Sequence, residues 1–215
     1  EVLAITDSGE HQQLRTVDGA TAQHYLASCR HDTTGTDLLE GGLSNPTVPP
    51  HFRVVHRGRV EIHAHALVFT NSIVLPDVTI GEGASLWPGV VIRAELQSVT
   101  VGRFVNLQDQ VMVHIGYATP TVIGDYASIT HRVVLHGCTI GENCLIGIGA
   151  TIMDGAVIGA NSIVAGHSFV REGQVIPPNS IVMGTPAKVV RTADNFVANR
   201  FNAWLYHRNA MAYAK

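Results

Sequence analysis

Aliphatic residues recur at every sixth position through most of the chain. The members of this series are Ile62, Val68, Val74, Ile80, Leu86, Ile92, Val101, Leu107, Val113, Ile123, Ile129, Leu135, Ile140, Ile146, Ile152, Ile158, Val164, Val170, Ile176 and Val182. A period of six fits neither the turn of an α-helix nor the alternation of a long strand. It predicts a chain that turns a corner every six residues, so that three sides close a coil of about 18 residues in a parallel β-helix.

The series keeps its register with three departures. Three extra residues precede Val101, four precede Ile123, and one residue is missing before Ile140. We name the three sides of each coil A, B and C, starting with Ile62 on side A. The series then predicts an all-β prism of six to seven coils. In such a prism the aliphatic residues point inward, and the glycines that follow many of them relieve crowding at the corners.

Two flanking segments lack this period. We predict an N-terminal arm at residues 1–57, a β-helix domain at residues 58–191 and a C-terminal helix at residues 192–215. In the arm, Thr21–Cys29 is a short helix candidate, and Ser44–Pro50 is predicted to be a linker because its prolines disfavour helix and sheet. Because the arm cannot bury a core alone, we expect it to wrap the prism or a neighbouring subunit.

The C-terminal segment has helical spacing. From Thr192 onward, apolar residues recur at helical spacing. They predict an amphipathic helix that ends near Ala212, with Thr192 or Asp194 as its N-cap. We expect this stripe to pack along the prism rather than to form a binding face. Its members are Val197, Phe201, Trp204, Leu205, Arg208 and Met211.

Composition narrows the classes of partner. The net charge is −3 and no window carries a Lys/Arg cluster, which argues against nucleic acid and anionic membranes as partners. No apolar run approaches the roughly 18 residues of a transmembrane helix. Cys29, Cys138 and Cys144 have no metal-binding spacing, and their odd number favours a reducing compartment. With no signal peptide visible, a cytoplasmic or mitochondrial location is expected rather than secretion.

The candidate chemistry lies on side C. Arg93, His114 and His136 each directly follow the aliphatic residue of side C in three successive coils. They are therefore expected to form one outward-facing column, which we call the His column. Rungs of a parallel sheet lie about 4.8 Å apart. Two imidazoles at that spacing can reach one tetrahedral metal ion.

His131 lies on side B, two places after Ile129, and points away from the His column of its own chain. Across a threefold interface, side B of one subunit can face side C of the next. Three imidazoles and an open fourth position would then form a catalytic metal site. Asp109 occupies the column of His131 one coil earlier, where it can either orient His131 or pair with Arg93 across the interface.

Several strings in the prism resemble the γ-class carbonic anhydrase family. The resemblance covers roughly residues 56–191 and is strongest to the carnitine- and phenylacetate-operon branch, which has mitochondrial relatives in complex I. That family has a left-handed parallel β-helix fold. The matching strings are Ser85-Leu-Trp-Pro-Gly-Val-Val-Ile-Arg93, Asn106-Leu-Gln-Asp109, Val113-His114, His131-x4-His136-Gly137-Cys138 and Met183-Gly-Thr-Pro-Ala187.

The resemblance implies a trimer that hydrates carbon dioxide to bicarbonate. It implies His114, His131 and His136 as ligands of zinc or ferrous iron, with cobalt also suited to three imidazoles. His131 would come from the adjacent subunit of a homotrimer, or of a heterotrimer of homologous chains. The other implied site residues are Gln108, beside the reacting water, and Arg93 and Asp109, which would form an ion pair between subunits.

Two departures from the family pattern keep other functions open. Glu95 stands where the family commonly has Asp, and neither Leu96 nor the loop Gly116–Pro120 supplies the acidic residues of the most active members. Rapid turnover needs a group that exports the proton. A weakly active or inactive scaffold subunit, for example in mitochondrial complex I, is therefore one alternative. An acyltransferase or thioesterase on the same fold is a second.

Overall fold

The computed structural model describes residues 59–213, together with the backbone of residues 2–4 and 15–17. The predicted helix at Thr21–Cys29 and the predicted linker Ser44–Pro50 lie outside these residues. The way in which most of the arm meets the prism therefore stays a prediction.

Three parallel sheets form the walls of a β-helix of about seven turns, as the period predicts. Side A holds Val60–Ile62 (β3), Val78–Ile80 (β6), Val99–Val101 (β9), Thr121–Ile123 (β12), Thr139–Ile140 (β15), Val157–Ile158 (β18) and Val175–Ile176 (β21). Side B holds Leu67–Val68 (β4), Ser85–Leu86 (β7), Asn106–Leu107 (β10), Ser128–Ile129 (β13), Leu145–Ile146 (β16), Ile163–Val164 (β19) and Ser180–Met183 (β22). Side C holds Ile73–Leu75 (β5), Val91–Arg93 (β8), Met112–His114 (β11), Val134–His136 (β14), Thr151–Ile152 (β17) and Phe169–Val170 (β20).

Three further strands extend the walls in the antiparallel sense. Lys188–Thr192 (β23) folds back on β22, at the end of side B. Val2–Ala4 (β1) pairs with β5 and with Arg15–Val17 (β2), at the start of side C. The sequence did not predict these strands, because none of them belongs to the six-residue series.

The core is the column of aliphatic residues inside the prism. From Val74 to Val182, every member of the series is at most 2% exposed. The corner positions are filled by small buried residues such as Ala127 and Ala156. Burial of one large aliphatic side chain contributes about 1.5–3 kcal/mol, so the repeat itself supplies most of the apolar stabilisation.

One helix, Phe196–Tyr213 (α1), follows the prism in the described residues and runs along side B. Of the two predicted N-caps, Asp194 accepts a hydrogen bond from the N–H of Phe196 at 2.9 Å. Thr192 instead ends strand β23. Between residues 59 and 213, no helix is long and apolar enough to cross a membrane.

The prediction that the apolar stripe of α1 packs on the prism is wrong. Val197, Phe201 and Trp204 are 77%, 58% and 49% exposed, and Arg208 and Met211 are exposed as well. The buried residues of the face that meets the prism are small or amide side chains, and Tyr206 and His207 beside them contact the rings of Trp87 and Phe104. The buried residues are Asn199, Ala203 and Ala210. The wall beneath this face offers peptide carbonyls as well as aromatic rings. Asn199 Nδ2 donates to the carbonyl of Asn143 at 2.9 Å, and the alanines allow the helix to approach closely.

Candidate metal centre

The His column has the register that the sequence predicted. His114 lies opposite Arg93 on β8 and opposite His136 on β14. Each of the three residues follows a fully buried aliphatic residue, so the inward packing of that residue turns its neighbour outward. The strands of side C therefore position the backbone of the His column, and the turns that follow these strands affect its side-chain contacts.

The two imidazoles of the column face each other. His114 Nδ1 lies 3.1 Å from His136 Nε2, and the ring centroids are 4.9 Å apart. The outer nitrogens each meet a carboxylate. Glu95 Oε2 lies 2.9 Å from His114 Nε2, and Asp154 Oδ1 lies 2.7 Å from His136 Nδ1.

The tautomers of the two rings decide which nitrogens can bind a cation. A neutral imidazole has one N–H donor and one lone pair, and an ionised carboxylate only accepts. If each outer nitrogen donates to its carboxylate, the lone pairs of His114 Nδ1 and His136 Nε2 both point into the space between the rings. Two convergent imidazole lone pairs are donors that suit a divalent transition metal.

The surroundings of His114 keep its imidazole neutral near neutral pH. Burial lowers the pKa of His114 from 6.5 to about 4, and the neighbouring Arg93 and His136 add to this effect. Asp154 acts in the opposite direction. A neutral imidazole is the form that binds a metal ion.

His131 lies apart from the His column, on side B. Its Nδ1 lies 3.0 Å from Asp109 Oδ2 in the preceding coil, where the pairing of Leu107 with Ile129 places the two in one column. Of the two roles that the sequence left open for Asp109, the contact that orients His131 is present within one chain. Among the described residues, no three His, Cys, Asp or Glu side chains gather into a metal-binding group. One chain therefore brings together two of the three predicted ligands.

Arg93 forms an ion pair with Glu95, which lies in the turn after β8. The same carboxylate reaches His114, so Glu95 links the first and second members of the His column. The predicted ion pair between Arg93 and Asp109 joins two subunits and stays a prediction. The sequence did not point to Asp154, because this residue does not directly follow the aliphatic residue of its side-C strand.

Gln108 belongs to a buried chain of polar side chains on side B. Its Nε2 donates to Asn106 Oδ1 at 2.9 Å, and Asn106 Nδ2 donates to Ser128 Oγ at 2.9 Å. All three residues are at most 1% exposed. Sequence reasoning did not single out Ser128. One sequence feature could have identified this polar chain. A polar residue directly precedes the aliphatic residue of side B in three successive coils, at Ser85, Asn106 and Ser128.

The two cysteines that the structure describes have no catalytic features. Cys138 and Cys144 are buried and unpaired, and burial raises the pKa of each thiol to about 12. Such thiols act as small apolar residues rather than as nucleophiles. Cys29 lies outside the described residues.

Comparison with known proteins gives the following matches. A family model described as "Bacterial transferase hexapeptide (six repeats)" matches residues 59–94 and 137–172. "Probable carbonic anhydrase" of Methanocaldococcus jannaschii is 45% identical over 147 residues, which cover 67% of this chain and 92% of that protein. "Gamma carbonic anhydrase 1, mitochondrial" of Arabidopsis thaliana is 41% identical over 99 residues, or 43% of this chain. The match spans only 36% of that plant protein.

A solved structure gives the same architecture. It is described as a putative acetyltransferase of Bacillus cereus and has a TM-score of 0.71 and 33% sequence identity. The match covers 74% of this chain and 93% of that one. The shared architecture is the hexapeptide-repeat prism, which by itself does not distinguish between these activities.

Proposed function

Because the chain belongs to the γ-class carbonic anhydrase-like family of hexapeptide-repeat proteins, we propose that it is a metal-dependent carbonic anhydrase. The reaction is the reversible hydration of carbon dioxide to bicarbonate. The observation that carries the proposal is the pair formed by His114 and His136, whose inner nitrogens face each other at 3.1 Å while carboxylates hold the outer ones.

The donor set fits a divalent metal ion. His114 and His136 would hold it through their inner nitrogens, and His131 of an adjacent subunit would provide the third imidazole. When bound, the cation supplies the Lewis acidity that makes hydroxide available from water near neutral pH. Zinc, cobalt and ferrous iron all suit three imidazoles.

A trimer is part of the proposal because of where the donors lie. His131 stands on side B and its two partners on side C, and these walls of one prism face different directions. A threefold arrangement would place side B of one subunit against side C of the next. Asp109, which contacts His131 Nδ1, would leave His131 Nε2 as the nitrogen that faces the shared site.

The remaining site residues bind and orient the reactants. Gln108 has its NH2 group committed to Asn106, so its carbonyl oxygen is the acceptor it can offer to a reacting hydroxyl group. Glu95 and Asp154 are engaged with imidazoles, and residues 116–120 hold no carboxylate. We therefore assign proton removal to buffer in solution, and turnover should increase with buffer concentration at constant pH.

Metal content tests the ligand assignment. His114→Ala, His131→Ala and His136→Ala should each lose bound metal, while circular dichroism shows an intact prism. His65→Ala is the matched control, because His65 is exposed on the first coil. Elemental analysis of protein purified without oxygen measures zinc, iron and cobalt together. Full metal retention in any one of the three variants would exclude that residue as a ligand.

A subunit-mixing experiment tests the shared site. Trimers formed from His131→Ala chains and His136→Ala chains should regain some intact sites. One chain then supplies His131, and its neighbour supplies His114 and His136. Subunit exchange is followed by native mass spectrometry and metal binding by chelator competition. Exchange without any recovery of metal binding would refute the intersubunit site.

Stopped-flow hydration of carbon dioxide tests the activity itself. The zinc-loaded protein, and the iron-loaded protein under anaerobic conditions, should accelerate hydration, and the three His→Ala variants should not. A protein that binds metal without accelerating hydration would refute the enzymatic proposal and favour a scaffold role. Acyl-CoA turnover that survives metal removal would instead indicate acyl transfer.

A further inference from the structure

We propose that Asp154 is a positioning residue that fixes the ring of His136 for metal binding. The inference rests on the proposed function, since it assigns a role within the same metal centre. Asp154 does not belong to the predicted ligand set. Its carboxylate acts on the ligand His136 from the side opposite the proposed metal position.

The first support is the contact itself. Asp154 Oδ1 lies 2.7 Å from His136 Nδ1, the length of a strong hydrogen bond to a charged acceptor. Asp154 follows β17, whose Ile152 pairs with Leu135 directly before His136. The contact therefore joins two consecutive coils of side C, and the prism holds both of its ends.

The second support is the space that two glycines leave for the carboxylate. A Cβ atom at Gly116 or at Gly137 would overlap Asp154 Oδ1, and it would also overlap Thr119 Oγ1. Gly137 also has φ of +56°, a conformation that favours glycine. The turn after His136 therefore admits the carboxylate only because both positions lack a side chain.

The third support is the effect on the imidazole tautomer. An ionised carboxylate accepts a hydrogen bond and cannot donate one, so Asp154 favours the form of His136 with its proton on Nδ1. The lone pair then sits on Nε2, which faces His114 Nδ1 at 3.1 Å. Without Asp154, neutral imidazole has no such bias, and the ring loses one of the two contacts that orient it.

The chain provides a matched control in the same column. Ile152 pairs with Val170, so Glu172 occupies the position of Asp154 one coil further along. Glu172 is exposed and lies beyond the His column. Glu172→Ala therefore removes a carboxylate from an equivalent turn without altering the proposed centre.

The test measures the metal-free and the zinc-bound full-length protein. Nitrogen-15 NMR of histidine-labelled, metal-free protein should show His136 with its proton on Nδ1 in the wild type and in Glu172→Ala. Asp154→Ala should shift it toward the Nε2 tautomer. In chelator competition, Asp154→Ala should bind zinc about 10- to 100-fold more weakly than the wild type. Asp154→Asn keeps an acceptor oxygen and should recover most of the loss.

A second route removes the contact without changing any titratable group. Gly116→Ala would displace the carboxylate and the Thr119 hydroxyl sterically, so it should weaken zinc binding in the same direction and add little in the Asp154→Ala background. An unchanged tautomer together with unchanged zinc affinity in Asp154→Ala would overturn the inference. If that variant does not fold, the same two measurements on Gly116→Ala decide. Failure of the wild type to hydrate carbon dioxide with either zinc or ferrous iron would refute the proposed function, whereas the tautomer of His136 in the metal-free protein would still test its contact with Asp154.

Discussion

His114 should make the metal-free protein lose stability as the pH falls from about 6.5 to about 4. Burial, followed by the effects of Arg93 and His136, lowers the pKa of native His114 from 6.5 to about 4 against the opposing effect of Asp154. In the unfolded chain the imidazole regains its ordinary pKa and takes up a proton below pH 6.5. The unfolded state then binds more protons than the native state, so the free energy of unfolding decreases as the pH falls through this window.

The magnitude follows from the shift and from the exposure of the ring. A pKa lowered from 6.5 to about 4 sets an upper limit of about 3 kcal/mol, at about 1.4 kcal/mol per pKa unit. The His114 side chain remains 18% exposed, and screening by solvent reduces the expected loss to about 1–2 kcal/mol. Glu95 Oε2 lies 2.9 Å from His114 Nε2, and the same carboxylate forms an ion pair with Arg93.

Urea unfolding of the metal-free protein measures this loss. The wild type and His114→Asn, which has no titrating ring, are compared at pH 7.5, 6.5, 5.5 and 4.5 at one protein concentration in the presence of a chelator. The wild type should lose about 1–2 kcal/mol more than the variant across this range. Parallel pH profiles, or a steeper loss in the variant, would refute the assignment of a lowered pKa to His114.

Three further predictions concern the prism and the helix. Ile146→Ala, at a fully buried position, should lower the free energy of unfolding in urea by about 2–5 kcal/mol, whereas Val157→Ala, at a 36% exposed position, should lower it far less. Asp194→Ala removes the acceptor at the start of α1 and should cost about 1 kcal/mol in the same assay; an unchanged midpoint would exclude a capping role. Gly141→Ala would place a Cβ atom 2.6 Å from the backbone nitrogen of Ala160, so its Tm should fall by several degrees, and a wild-type Tm would contradict such close stacking of coils.

The periodicity is sufficient to predict the prism because each coil repeats one local rule. An aliphatic residue must point inward at every side, and parallel pairing then fixes which residues share a column. This rule predicts one register for Arg93, His114 and His136, and the paired strands β8, β11 and β14 have that register. The same rule places Asp109 beside His131, where the two side chains are in contact.

The sequence could not predict contacts that depend on an unpaired carbonyl of the prism wall or on the backbone conformation of a turn. The apolar stripe of α1 is expected on the prism because apolar side chains usually face inward. The wall of side B instead offers the carbonyl of Asn143, which needs a donor, and Asn199 provides it. The role of Asp154 is hidden for a related reason. Its contact with His136 depends on a turn conformation at Gly137 that the six-residue series does not encode.

The departures from the six-residue series mark the candidate metal centre. Each of the three follows a member of the His column in the turn that leaves side C. The extra residues after Arg93 include the turn that carries Glu95, which reaches back to His114. The extra residues after His114 and the shortened turn after His136 bring together the two glycines that admit Asp154. A regular corner also allows a contact between a carboxylate and an imidazole, as Asp109 and His131 show on side B, but the contacts that Glu95 and Asp154 make with the His column lie beside the irregular turns. The irregular turns therefore convert a column of outward side chains into a pair of imidazoles held from both sides by carboxylates.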